Sequence, residues 1–316
     1  MYARRLGTAL VVVSLASIGY AQPAEGDDAS REGGLRARWR FDEGNGSMAQ
    51  DCFGGFDGTL YTGTEWSPGV SGSALEFVDH GMVWQIPEAF DDTVLTTQAL
   101  TAAVWLYRYG DVPEQSGVIF DARAQGADAG FELTMSADGH LTFFTIWGYH
   151  QIQRIDSVSA VAAGQWAHVV AEFDYAAGAL RLFIDGQEDA ASPAPVTEPY
   201  FDDYSNAAIG NNHWAPGDGQ WGPFHGVIDE VRFYDRALTV DEVFQLHRAY
   251  VDYGDMNCDG TMEFGDINPF VLRLSNPAEY HEQYPDCPDA NGDINDDGVV
   301  DFGDINPFIA LLTGGG

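Results

Sequence analysis

Between residues 35 and 250 apolar and polar positions alternate in short runs. Leu35, Ala37, Trp39 and Phe41 form one run, and Leu100, Ala102, Val104 and Leu106 a second. Leu180, Leu182 and Ile184 form a third, and Val227, Asp229, Val231 and Phe233 a fourth. A period of two turns one face of each segment toward a core, as in a half-buried β-strand. Turn dipeptides separate the runs: Asp57-Gly58, Asp138-Gly139 and Asp185-Gly186. The last lies between LRLFI and QEDAA and predicts a two-residue hairpin turn. One segment breaks the rhythm. TVDEVFQLHRAYV predicts a helix, and Thr239 followed by Glu242 gives it a capping box. About 215 residues of short strands predict a mainly β fold of two antiparallel sheets, with some 70% of the unfolded surface buried.

The two ends of the chain read differently. Arg4 and Arg5, the apolar run Leu10 to Ile18, and Gly19-Tyr20-Ala21 make residues 1–21 an export signal, cleaved after Ala21. The apolar run falls short of the roughly 20 residues that span a bilayer, so no transmembrane anchor is predicted. Residues 22–34 form a disordered linker, and 35–250 the sandwich.

Residues 251–316 carry a duplication: FGDINPF occurs at 264–270 and again at 302–308. Ahead of each copy lies an acidic window, DMNCDGTMEFGD (Asp255 to Asp266) and DINDDGVVDFGD (Asp293 to Asp304). Both have Asp at 1, Asn at 3, Asp at 5, Gly at 6, an acid at 9 and Asp at 12. Calcium takes six to eight hard oxygen ligands from a tightly turned loop, and Gly at 6 permits the turn. The expected ligands are Asp255, Asn257, Asp259, the Thr261 carbonyl, Glu263 and Asp266. In the second window they are Asp293, Asn295, Asp297, the Val299 carbonyl, Asp301 and Asp304. INPFVLRL and INPFIALL then read as short helices, each with its proline in the tolerant first turn. Phe270, Val271 and Leu274 are expected to pack against Phe308, Ile309 and Leu312. A core this small needs such metal support.

The net charge of −35, with all 14 basic residues Arg, excludes nucleic acid and anionic membrane as partners and suits divalent cations. A content of 45% hydrophobic and 13% aromatic residues argues for a packed core rather than acidic disorder. Of the three cysteines, Cys258 and Cys287 share the C-terminal segment and are the expected disulfide. Cys52 would then stay a buried or lone thiol, although sequence alone leaves the pairing open.

The segments RWRFDEGNG, SALEF, LTAAVWLYR, GQWAHVVAEFD, LRLFIDG and GVIDEVRFYDRALTVDEV, in that order, resemble the laminin-G-like jelly roll of the concanavalin A-like lectin/glucanase superfamily. The resemblance covers nearly all of 35–250. It implies an antiparallel jelly-roll sandwich that binds carbohydrate or protein and holds a structural calcium ion near the acids of FDEG and IDEV, Asp42 and Asp229. The alternative for these two is an Asp that caps a strand end or bonds turn amides. The C-terminal windows resemble those of type I dockerin domains, which implies a small α-helical module with two EF-hand-like calcium loops and a cohesin-like scaffold partner. Phe264-Gly265 and Phe302-Gly303 at positions 10 and 11, the long connection from Ile267 to Gly292 and the helix-start prolines depart from that pattern. They widen the partner to other scaffold proteins.

Glucanases of this superfamily carry their acids on one strand as Glu-x-Asp-x-x-Glu. That spacing is absent here, and the adjacent Asp229 and Glu230 would point to opposite faces of a strand. No catalytic residue is assigned. Two aromatic loops, IWGYHQ and NNHWAPGDGQWGPFH, offer Trp147, Tyr149, Asn211, Trp214 and Trp221 for glycan, or else plug the ends of the sandwich. The reading is an exported binding protein for polysaccharide or glycan, attached through its calcium module. The alternatives are a polysaccharide-degrading glycoside hydrolase and an adhesive cell-envelope protein that binds protein partners.

Overall fold

Alternating segments become strands where the period of two holds. The computed structural model describes residues 33–78, 81–87, 90, 98–110, 116–123, 130–147, 151–192, 207–211, 221–259, 261–285, 287–295 and 297–313. The expected export signal, residues 1–21, and most of the expected linker lie outside them. The chain forms β1 (Leu35–Trp39), β2 (Met48–Ala49), β3 (Gly58–Leu60), β4 (Thr64–Pro68), β5 (Ser73–Phe77) and β6 (Val83–Trp84). There follow β7 (Ala99–Arg108), β8 (Ser116–Arg123), β9 (Gly130–Met135), β10 (His140–Trp147), β11 (Gln151–Ala160) and β12 (Trp166–Asp174). The last are β13 (Ala179–Ile184), β14 (Gln187–Ala191), β15 (Ala208–Ile209), β16 (Trp221–Pro223) and β17 (Gly226–Tyr234). Four α-helices are described: α1 (Val240–Arg248), α2 (Ile267–Ser275), α3 (Pro277–Gln283) and α4 (Ile305–Leu312).

The strands make two sheets. One runs β14-β13-β12-β7-β17-β5-β4, with β1 paired to β17; the other runs β11-β10-β9-β8-β15-β6-β3-β2, with β16 paired to β8. Side chains from both inner faces, among them Trp39, Phe77, Phe131, Phe143, Phe173 and Phe233, fill the space between. This is a mainly β antiparallel sandwich, consistent with a jelly roll. The β13–β14 hairpin turns at Asp185 and Gly186 as its sequence predicts, both with positive φ (48° and 78°). At the Asp57-Gly58 signal, by contrast, Gly58 already belongs to β3.

Thr239 and Glu242 form the expected capping box of α1. The helix lays Val243 and Leu246 on Ala103, Val170 and Phe183, on the outer face of the first sheet. Each such side chain contributes about 1.5–3 kcal/mol on burial. Strand β7 is thereby buried on both faces: Ala102, Val104 and Leu106 point inward, whereas Trp105 packs outside with Val70 and Tyr250.

A buried ionic cluster fixes where the chain leaves the sandwich. Glu230 is fully buried, 3.2 Å from the Arg38 guanidinium, 3.0 Å from that of Arg232 and 3.6 Å from Arg40. The Tyr250 hydroxyl accepts hydrogen bonds from Arg38 (3.2 Å) and Arg232 (2.6 Å). Register in β17 shifts between Asp229 and Arg232, and Glu230 has φ 48°. This bulge lets the neighbouring acids serve separate partners.

In the C-terminal module, Phe270 and Phe308 stack at 4.2 Å with an interplanar angle of 6°. Leu274 and Leu312 pack beside them, but Val271 and Ile309 are 53% and 51% exposed, contrary to the expected helix contact. The stacked rings take up the space between α2 and α4 and leave the next residue of each helix facing outward. The long connection between the windows contains α3, whose Asn276 caps the Glu279 amide and whose Pro277 stands in the first turn. Cys258 and Cys287 are disulfide-bonded, and Cys52 is free and exposed rather than buried. The bridge closes a separation of 29 residues. Replacing both cysteines by Ala is expected to cost the module about 3–4 kcal/mol, read as a lower urea midpoint for its own transition.

Candidate functional site

The two acidic windows fold into nearly the same hydrogen-bonded turn. In the first, Asp255 and Asn257 accept the Asp259 amide (3.2 and 2.9 Å), and Asp259 accepts that of Thr261 (3.0 Å). In the second, Asp293 and Asn295 accept the Asp297 amide (3.0 and 2.9 Å), and Asp297 accepts that of Val299 (3.0 Å). Position 12 repeats as well. Asp266 accepts Met256, Asn257 and Glu263 amides (2.8, 3.1 and 2.8 Å), and Asp304 those of Ile294, Asn295 and Asp301 (2.8, 3.0 and 2.8 Å). Gly298, at position 6, takes φ 86°, which favours glycine; its counterpart Gly260 lies outside the described residues. Each window gathers carboxylate and amide oxygens, with the Thr261 and Val299 carbonyls at position 7. Among the described residues, no three His, Cys, Asp or Glu side chains form a ready metal cluster.

Asp42 and Asp229 meet at the β4–β5 turn. The Asp229 carboxylate accepts the Ser71 amide (3.2 Å), and Asp42 accepts the Ser73 amide (3.4 Å) while pairing with Arg40 (3.0 Å). A Cβ at Gly69 would stand 2.4 Å from Asp229, and one at Gly72 2.1 Å from Asp42, so the turn needs glycine for this approach. Burial and then the Glu230 charge push the Asp229 carboxyl well above its ordinary range.

Of the aromatic loops, Tyr149 and Trp214 lie outside the described residues. Asn211 is fully buried just beyond β15. The backbones of Trp147 and Trp221 are not brought together. Ile146 shares a row with Gly130 and Arg123, whereas Trp221 pairs with Ser116 at the other end of β8. Along β8 that is roughly 20 Å or more at about 3.3 Å per residue.

Sequence reasoning passed over a pair of acids. Asp121 on β8 stands opposite Glu132 on β9. Their neighbours Phe120, Ala122, Phe131 and Leu133 fill the core, so both acids face outward, and both are fully buried. The row continues through Phe144 and Arg154. A search along single strands misses a pair that only cross-strand register creates.

A second buried polar group lies on the opposite sheet. Trp105 stacks on His247 (5.4 Å, 21°) and lies 5.2 Å from His168. Burial pushes the His247 imidazole down to about 4, and burial with the nearby His247 and Arg232 pushes His168 well below its ordinary value. A histidine held neutral in the fold but protonated near 6.5 when unfolded stabilises fully above that pH; the stability is lost as pH falls toward 4. For His247 the loss is about 3 kcal/mol. Burial raises Asp185 to about 6 and gives the opposite slope between about 6 and 3.8. Comparison with His247→Phe isolates the histidine, since Asp185 remains in both proteins. Urea unfolding at pH 7 and pH 4 is expected to show the wild type losing about 3 kcal/mol relative to the variant.

Residues 87–244, half the chain, match the Laminin_G_3 model of the concanavalin A-like lectin/glucanases superfamily. The chain belongs to this superfamily. Domain 4 of AbnA, an extracellular GH43 arabinanase from Geobacillus stearothermophilus solved with arabinotriose, shares the fold at TM-score 0.52 and 21% identity. The alignment covers 67% of this chain and 98% of that domain. Trypanosoma rangeli sialidase, solved with a difluoro-KDN compound, matches at TM-score 0.50 and 18% identity, over 68% of this chain and 32% of the enzyme. The binding domain of botulinum neurotoxin DC, solved with SialylT, matches at 0.51 and 11%, over 71% and 54%. These similarities establish the lectin/glucanase fold alone. No curated protein matches the chain. Among the described residues no helix is long and apolar enough to cross a membrane.

Proposed function

We propose that the chain is an exported, non-catalytic binding protein. Its lectin/glucanase sandwich takes polysaccharide or glycan, and its C-terminal module, carrying two calcium ions, attaches it to a cohesin-like or other scaffold partner. The observation that carries the reading is the burial of the paired acids: Asp121 and Glu132 have no exposed surface. Hydrolysis requires an acid and a nucleophile or base in contact with the glycosidic bond, and sealed carboxylates favour binding. Solved members of the fold with sugar ligands support glycan as the ligand class.

For the module, Asp255, Asn257, Asp259, Glu263 and Asp266 with the Thr261 carbonyl would hold one ion. Asp293, Asn295, Asp297, Asp301 and Asp304 with the Val299 carbonyl would hold the other. Bound calcium would balance the carboxylate charge of each window. At the Asp42–Asp229 turn a cation would have to displace Arg40 from Asp42, and the proposal is confined to the C-terminal pair. Phe264 and Phe302, 74% and 78% exposed at matching positions of the repeat, offer the partner an apolar contact. The disulfide suits the oxidising exterior that export implies.

The hydrolase reading is favoured by register. Directly opposed residues have Cβ atoms about 4.5–5.5 Å apart, near the 5–5.5 Å carboxyl spacing of retaining enzymes. The deciding experiment passes the chain from Gln22 onward over insoluble polysaccharides and assays released reducing ends. Retention without release supports the binding protein. Release abolished by Asp121→Asn transfers the assignment to a hydrolase, and no retention on any polysaccharide removes the glycan reading.

A further inference from the structure

A cleft of about 540 Å³ opens between the outer face of the first sheet and the C-terminal module, within the roughly 300–1,000 Å³ of small-molecule sites. Trp105, Trp166, His247 and Tyr250 line it from the sandwich side, and Asp293, Asp297 and Val299 from the second acidic window. Trp105 and His247 are only 3% and 5% exposed, yet the indole Nε1 and the imidazole Nδ1 have no hydrogen-bond partner. Further carboxylates, Asp185, Glu188 and Asp189, close the sandwich side. Arg273, the cationic residue of the lining, is taken by Asp289 at 2.5 and 2.8 Å.

We infer that this cleft binds a neutral sugar unit of a glycan chain. The inference rests on the glycan reading above and locates the ligand on the face opposite to the Asp121–Glu132 row.

Hydrogen-bond inventory selects the class. An indole N–H only donates, so the ligand must offer an acceptor; ionised carboxylates only accept, so it must also donate. A hydroxyl does both. An ammonium or guanidinium group has no acceptor for Trp105, and an acidic sugar meets the carboxylates of Asp185, Glu188 and Asp189 on the sandwich wall. His247, neutral at ordinary pH through its burial, serves as acceptor or donor to a second hydroxyl. The flat face of the partly buried Trp166 suits the apolar face of a sugar ring.

The test is a glycan microarray carrying neutral, sialylated and sulfated oligosaccharides and a chitosan oligomer, probed with the full mature chain. Two variants accompany it. Trp166→Ala removes a ring from the cleft. Val299→Trp fills the cleft from a side chain that is 58% exposed and so leaves the core alone. Both are first compared with the wild type in unfolding temperature, and Val299→Trp carries the test if Trp166→Ala is unstable. The expected result is wild-type binding to neutral glycans, reduced at least about tenfold in each folded variant. Neutral-glycan binding unchanged in the variants overturns the cleft and leaves glycan recognition standing elsewhere. Binding confined to acidic glycans, or to the cationic chitosan oligomer, overturns the neutral-sugar assignment. Binding to nothing on the array removes both readings.

Discussion

Chelating calcium is expected to unfold the C-terminal module and leave the sandwich folded. The module's buried core is small: Met256, Phe270, Tyr280, Cys287, Ile294, Val300 and Phe308. A core from fewer than about 70 residues supplies roughly 3–5 kcal/mol. Against it stand the acids of two windows, including the buried Asp255, Asp266 and Asp304, with Arg273 the one Arg of the segment. An ion present at about a thousand times its dissociation constant stabilises the fold by about 4 kcal/mol. Two such ions exceed what the core alone provides. Scanning calorimetry should show separate module and sandwich transitions with calcium, and the sandwich transition alone in excess EGTA. Readdition of calcium should restore the first. An unchanged module transition in EGTA would sink the two-ion proposal.

Glu230→Ala is expected to lower sandwich stability by about 3–5 kcal/mol, the usual cost of breaking a buried ion pair from one side. Three guanidinium groups, of Arg38 on β1, Arg40 just after it and Arg232 on β17, approach this one carboxylate, and burial with nearby ionised partners makes each loss costly. Backbone strain does not account for the cost, because Ala at φ 48° is strained as Glu is. For a domain this size about 3–5 kcal/mol corresponds to a fall of roughly 10 °C or more in the sandwich transition. A fall equivalent to less than about 1 kcal/mol would show that the arginines find other partners, and the cluster would lose its assigned role.

What was legible in the sequence was local. The hairpin at Asp185-Gly186, the α1 capping box and the acidic windows are fixed by residues within a dozen positions of one another, so spacing alone reveals them. Trp105 was not legible as a buried residue of the outer face. Its burial depends on α1 and Tyr250 folding back over β7, more than 130 residues later in the chain. The same limit hid the Asp121–Glu132 pair, which exists only once β8 and β9 are in register. Within the C-terminal module, helical period placed Val271 and Ile309 inward, but it could not foresee that two phenyl rings would stack flat and occupy the interface. The aromatic loops read as one face because they share a composition; strand direction separates the backbones of Trp147 and Trp221.

The clamp on Tyr250 has a mechanical consequence. If the sandwich holds a glycan and the module holds a partner, tension between them runs through the segment after α1. That segment is tied by the Tyr250 hydroxyl to Arg38 on β1 and Arg232 on β17. Strand β17 is an interior strand, flanked by β7 and β5, with β1 beside it. Pull therefore enters the fold at the middle of a sheet, where several rows of hydrogen bonds must shear together, instead of peeling an edge strand one bond at a time.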